Sequence, residues 1–290
     1  MAAKAIIAAA DGSQESLRAV EWAAREAVLR HEPLRIASVP MLPPRMSPNP
    51  TGLETTGGIL YEGAQHALAS ATERVAQIEP SLAATTEVLA GAPAQALLKA
   101  AADASLMVVG SRGEGGFTAM VLGSVSRYLA TRAPCPVVVA REETMAVHHE
   151  IVVGVHDPDQ AAAVLRFAFE EASLRNARLM AVYAWAWSLP STGAVGTLTP
   201  QERAVMSTSD IRAYAATRLE SVLGTWQDNY PAVQAGWEIV HAHPARALIG
   251  ASARADLVVL GRHAAGSSVG SITHPVLSHA HGPVAIVPGD

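Results

Sequence analysis

The chain has 290 residues, half of them hydrophobic, 16% charged and only 4% aromatic, and carries a formal net charge of −5. Two domains of ~150 residues fit that length, with cores built from Ala, Val, Leu and Ile. The acidic balance argues against nucleic acid as a partner, because phosphate-backbone binding needs a concentrated Lys/Arg surface. No run of ~18 apolar residues suggests a membrane span. Nothing resembles a signal peptide, and the single cysteine, Cys135, allows no intrachain disulfide. The expectation is a soluble cytoplasmic protein.

In chain order, Ala5–Ala10 reads as a strand and Gln14–Arg30 as a helix, with Leu17, Val20, Ala24, Ala27 and Val28 at helical spacing. Leu34–Val39 is the next strand. A Pro/Gly/Thr-rich loop, Pro40–Gly58, leads to a helix around Glu62–Ile78. Thr85–Leu89 is a strand, and Pro93–Ala102 a helix opening on proline. Leu106–Gly110 is a buried strand, Gly123–Arg132 a short helix, and Pro136–Ala140 a last strand. Apolar strands alternating with helices predict a mostly parallel sheet covered on both faces.

The order then repeats. Strand Ile151–Val155, helix Ala161–Arg175 and strand Leu179–Ala184 are followed by the loop Ser188–Thr199 and a long helix, Gln201–Asp228. Strand Gly236–His241, helix Pro244–Ala253, strand Leu257–Gly261, helix Ser271–His281 and strand Val284–Val287 complete the chain. The segment from Gly91 (GAPAQALLKAAADASLMVVGSRG) matches that from Ala242 (AHPARALIGASARADLVVLGRHA). Gly110 and Gly261 lie 151 residues apart (261 − 110), as do Pro93 and Pro244 (244 − 93). Equal offsets in separate words mark a duplication, and domains of 1–141 and 150–290 follow, joined through the polar Arg141–Glu150 segment.

One motif in the first half carries chemistry. Strand Leu106–Gly110 runs into Gly110-Ser111-Arg112-Gly113, and the next helix opens with Gly123-Ser124-Val125-Ser126, giving G-x2-G-x9-G-S. Glycines at a strand end let the backbone approach a ligand closely. A helix opening at Gly123-Ser124 offers N–H groups, a positive dipole end and hydroxyls to phosphate. Strand C-termini are where open α/β sheets hold their ligands.

Together with the strand-Asp-Gly-Ser start (Ile6–Ser13) and the G-x-P-A-x-x-L word at Gly91–Leu97, this spacing resembles the universal stress protein family, over both halves. The resemblance implies an α/β chain of two tandem flavodoxin-like, Rossmann-like domains. Each would be a five-stranded parallel sheet of order 3-2-1-4-5 with helices on both faces. It also implies ATP, accompanied by Mg2+, in the first domain. Asp11 and Val39 would flank base and ribose, and Gly110 and Gly113 would shape the turn. Gly123, Ser124, Val125 and Ser126 would hold phosphates, with Arg112 and Arg127 neutralising charge. Such proteins pair their last strands across a two-fold, so Pro136–Ala140 and Val284–Val287 are expected to pack the halves as a pseudo-dimer. A homodimer of chains is a further expectation.

The second half departs from the motif. Gly261-Arg262-His263-Ala264 lacks the second glycine, and Gly261 to Gly270 spans 9 residues (270 − 261) against 13 (123 − 110) in the first half. His156 stands in the place of Asp11. This domain is expected to bind ATP weakly or not at all.

Rival constellations are weaker. Gly266–Gly270 fits G-x-S-x-G, yet Arg262–Ala265 separate it from the strand and only Asp290 lies downstream as an acid. The histidines His241, His243, His263, His274, His279 and His281 lack the convergent spacing of a zinc site. No Gly-Lys-Ser/Thr and no G-x-G-x-x-G occur where a P-loop or dinucleotide fold needs them. No catalytic residue and no metal site are expected. The expected function is a non-enzymatic, ATP-binding regulator in the stress response. A nucleotide-independent scaffold, a slow ATPase and a receptor for another adenine-containing ligand remain as alternatives.

Overall fold

The computed structural model describes residues 4–40, 53–113, 122–141, 147–185, 207–262 and 271–289. The chain divides into two units, Met1–Glu142 and Glu143–Asp290.

In the first unit β1 (Ala5–Ala9) leads through Asp11-Gly12-Ser13 into α1 (Gln14–Arg30). Ser13 caps the helix by accepting the Ser16 N–H, which satisfies one of the first-turn donors. Gly12 is left-handed at φ 92, a conformation that costs glycine nothing and lets the chain reverse within three residues. At the other end His31, at φ 53, closes α1. β2 (Leu34–Ser38), α2 (Leu53–Ile78), β3 (Ala84–Val88) and α3 (Pro93–Ala100) follow. β4 (Ala104–Gly110), α4 (Ser124–Arg132) and β5 (Val137–Ala140) complete the unit. β1 pairs in parallel with β2 and β4, β2 with β3, and β4 with β5. The order is therefore β3-β2-β1-β4-β5, as the family resemblance implies. Ile6, Ile7, Ile36, Leu106 and Met107 are fully buried under the helices. The edge strand β3 is polar, with Arg35 of β2 3.4 Å from Glu87.

The second unit repeats this order as β8-β7-β6-β9-β10. Its strands are β6 (Glu150–Gly154), β7 (Arg178–Trp185), β8 (Ala235–His241), β9 (Leu257–Arg262) and β10 (Val284–Pro288). Its helices are α5 (Ala162–Leu174), α6 (Thr208–Gln227), α7 (Pro244–Ser252) and α8 (Thr273–His279). Phe169 of α5 is fully buried and stacks with Trp226 and Tyr230, at 6.1 and 5.6 Å between ring centroids. Among the described residues no helix is long and apolar enough to cross a membrane.

Several element bounds differ from expectation. α2 begins at Leu53, nine residues before Glu62, so the Thr- and Gly-rich stretch read as loop is helical. A 3-10 turn, Pro158–Gln160, precedes α5, because Pro158 and the Asp157 cap support a tight turn before the α-helix starts. α8 ends at His279, which leaves His281 outside the helix. The stretch 201–206 at the start of the long predicted helix, the loop Ser188–Thr199, most of the Arg112–Leu122 loop and the Gly266–Gly270 word lie outside the described residues.

Candidate functional site

In an open parallel sheet the crevice forms where the strand order reverses, outside the carboxyl ends of the strands on either side. In the first unit that point lies between β1 and β4. Asp11 leaves β1 there, and Gly110-Ser111-Arg112-Gly113 leaves β4.

Asp11 is held in place by its own turn. Its Oδ1 accepts from the Ser13 N–H at 3.0 Å and from Ser13 Oγ at 2.6 Å, while its backbone N–H donates to Ser16 Oγ at 3.3 Å. Ser16 Oγ in turn donates to the Ser13 carbonyl at 2.9 Å. Asp11, Ser13 and Ser16 thus form one network that fixes the carboxylate and caps α1 at once.

The glycines answer a packing demand. A Cβ on Gly110 would lie 2.8 Å from both the backbone C and O of Glu15 and 3.1 Å from the Arg112 carbonyl. The first turn of α1 therefore rests directly on the end of β4. A Cβ on Gly113 would collide with Asp11 Oδ2. The two arms of the crevice, from β1 and from β4, thus meet backbone against carboxylate.

Gly123 closes the third side. Its N–H donates to the Ser111 carbonyl at 2.7 Å, and Ser126 Oγ donates to the Gly110 carbonyl at 2.6 Å. These two bonds pin the first turn of α4 against the glycine turn. Gly123 is the N-cap and has no side chain to satisfy the first-turn N–H groups of Ser124, Val125 and Ser126. The positive end of α4 accordingly faces the crevice. Arg112 is exposed, 3.9 Å from Glu15 Oε1, and Arg127 is exposed one turn into α4. Val39 sits half-buried just beyond β2, the neighbour of β1, on the same carboxyl edge.

The fold therefore gathers Asp11, Gly110, Arg112, Gly113 and the Gly123–Ser126 turn at one point, with Val39 one strand away. Ser16 belongs to the same cluster, as does Ser13, which the sequence offers only as part of the Asp-Gly-Ser word; neither is assigned a site role by it. A Ser-x-x-Ser spacing directly after Asp-Gly was the available signal.

The second unit replaces this cluster wholesale. The helices α1 and α5 correspond at an offset of 145, as Glu26 and Glu171 show (171 − 26). At that offset Asp11, Ser13 and Ser16 become His156, Pro158 and Ala161. Asp157 accepts from the Asp159 N–H at 3.1 Å and Gln160 Nε2 at 2.9 Å. Arg218 of α6 reaches across to the same turn, 3.9 Å from Asp157 and in direct contact with Asp159. The bond to Asp159 is the main cause holding the Arg218 guanidinium above its ordinary value. A Cβ on Gly261 would find only the Val164 side chain at 3.7 Å, an ordinary contact, so the first turn of α5 meets its strand end less closely than α1 does. Trp185 and His241 stack at 4.3 Å on the carboxyl ends of β7 and β8. Among the described residues no group of three His, Cys, Asp or Glu could hold a metal ion.

Two five-stranded parallel sheets of the same order, flanked by helices, define a tandem α/β protein of the flavodoxin-like class. The chain belongs to the universal stress protein family, whose sequence profile matches residues 2–141 and 148–288. A universal stress protein of Mycobacterium tuberculosis (strain ATCC 25618 / H37Rv) is 31% identical over 297 residues, covering 97% of this chain and 96% of its own. A universal stress protein of Mycolicibacterium smegmatis is 32% identical over 294 residues, with the same shares covered. The crystal structure of a universal stress protein from Archaeoglobus fulgidus matches with a TM-score of 0.71 at 18% identity, covering 99% of each chain, which shows the shared fold.

Proposed function

We propose that the first unit binds ATP, as its Mg2+ salt, and that the protein is a non-enzymatic regulator in the stress response. The observation that carries this reading is the meeting of Gly113 with Asp11 beneath the positive end of α4, with no side chain at the cap. Backbone N–H groups of Ser124, Val125 and Ser126 would take phosphate oxygens. Gly110 and Gly113 keep the strand end low enough for the phosphates to approach. Asp11 would accept from ribose hydroxyls, with Val39 against the base and Arg112 over the phosphates.

A regulatory role is preferred to hydrolysis because Asp11 Oδ1 is already committed to two Ser13 donors, which suits a fixed hydrogen-bond acceptor better than a general base. The second unit, with His156, Pro158 and Ala161 in the corresponding places, is assigned no nucleotide. A cytoplasmic location, packing of the halves as a pseudo-dimer and pairing of two chains belong to the same proposal. Nucleotide would act by favouring one conformation that a partner or the oligomer reads.

Calorimetry with ATP and Mg2+ tests the reading on the wild type and on a Gly113→Ala/Gly123→Ala variant. One site per chain in the wild type, lost in the variant, is expected. Absence of binding in the wild type would leave a nucleotide-independent scaffold, and two sites would overturn the assignment of the second unit. Phosphate release at more than a trace rate would move the protein to a slow ATPase.

A further inference from the structure

A buried acid stands where the segment from β5 enters the second unit. Glu150, the first residue of β6, is fully buried. A lone buried carboxylate is costly, and this one is offset by two arginines. Arg178 of β7 is in direct contact with Glu150 Oε2, and Arg254 Nε, just after α7, lies 3.2 Å from Oε1. Both arginines otherwise reach into water, and Arg254 Nη2 also donates to Glu238 Oε2 at 2.6 Å.

The backbone ahead of the strand is tied as closely. Asp256, just before β9, accepts from the His148 N–H at 2.7 Å through Oδ1 and from the Glu150 N–H at 3.2 Å through Oδ2. Between those donors His149 is left-handed, at φ 53, and its carbonyl accepts from the Arg178 N–H at 2.9 Å. Such backbone is uncommon for a residue with a side chain and persists where its surroundings hold it. The Glu150 carbonyl accepts from the Asp256 N–H at 2.9 Å. Residues 148–150 are thus fastened through main chain and side chain together.

The fold does not require this fastening. Ala5 stands in the place of Glu150 (150 − 145), and Pro33, Asp103 and Ser105 in those of Arg178, Arg254 and Asp256 (178 − 145, 254 − 151 and 256 − 151). β1 still joins its sheet from Ala5. What sets β6 apart is the connecting segment that runs into it. We propose that Glu150 and Asp256 fasten a strap, residues 148–150, that fixes where the connection between the two units ends. Its side-chain anchors lie at the rim of the sheet, so the strap opens without unfolding the strands behind it. Opening adds three residues to the connection, roughly 10 Å of extended chain. The strap lies at the amino end of β6, away from any crevice at the carboxyl ends, and so stands independently of the nucleotide reading.

The test is hydrogen exchange on the full chain, comparing the wild type with Glu150→Ala and Asp256→Ser, each of which installs the residue of the first unit. Glu150→Ala leaves both arginines in water and strands no buried charge. Loss of a bond to a charged group corresponds to exchange over 148–150 that is roughly 10- to 100-fold faster in each variant. The strands behind, 178–185 and 257–262, are expected to keep their protection, and the unfolding temperature to hold. Unchanged exchange over 148–150 in either variant overturns the proposal. Loss of protection in 257–262 as well, or failure of a variant to fold, also overturns it, because the cluster would then belong to the core.

Discussion

The same motif position tests the packing argument in both units. Replacing Gly110 with alanine puts a methyl group 2.8 Å from the Glu15 backbone and 3.1 Å from the Arg112 carbonyl. Backbone cannot rotate out of the way as a side-chain tip can, so either α1 lifts off the sheet or the turn after β4 opens. Overpacking of this kind costs about 1–3 kcal/mol. Alanine also restricts the unfolded chain, which returns about 0.4–1 kcal/mol. The net expectation is a loss of roughly 1–2 kcal/mol from the first unit. Gly261→Ala meets only Val164 at 3.7 Å, so the unfolded-state gain should stand alone and leave the second unit unchanged or slightly firmer. Hydrogen exchange resolved by mass spectrometry separates the units, because β4 and β9 report on their own domains. Gly110→Ala should lower protection across 104–110 and leave 257–262 untouched. Gly261→Ala should lower protection in neither segment. Equal loss of protection in the two variants would refute the claim that α1 backbone packs more tightly on its strand end than α5 does.

Two smaller effects follow from the caps. Ser13→Ala removes the acceptor for the Ser16 N–H and a donor to Asp11, and should cost about 1 kcal/mol, read as a shift in the urea midpoint of the first unit. In the second unit, the Ser207 side chain is the main influence holding the Asp210 carboxyl below its ordinary value, with the Ser207 backbone N–H second. A carboxyl lowered on folding adds stability above its unfolded value and loses it as pH falls through the folded one. Ser207→Ala should therefore raise the Asp210 value without restoring it fully, because the backbone donor remains. Carbon NMR titration of Asp210 checks this; an unchanged titration would show that the capping box is not formed in solution.

Much of this was legible from spacing. The duplication and the glycine motif need only offsets and periodicity, the sheet order came from the family resemblance, and α1 spans the residues its apolar pattern predicts. The start of α2 was not legible. Thr55, Thr56, Gly57 and Gly58 have low helix propensity, yet the helix runs through them.

The divergence of the second unit at the site spares the frame. Glu26 and Arg30 form a buried ion pair in α1, and Glu171 and Arg175 repeat it in α5, both pairs one helical turn apart. Both glutamates are fully buried. Breaking such a pair by removing one partner strands a buried charge and costs about 3–5 kcal/mol. The left-handed residues that follow, His31 at φ 53 and Asn176 at φ 49, are likewise in matching places. These features serve the fold, and both copies keep them. Asp11, Ser13 and Ser16 are unnecessary to the fold by the same comparison, since His156, Pro158 and Ala161 support an equivalent sheet with a 3-10 turn in place of the cap. A network that the fold can do without, yet which is complete in one unit beside a helix end cleared of side chains, is best explained by a ligand that the first unit alone accommodates.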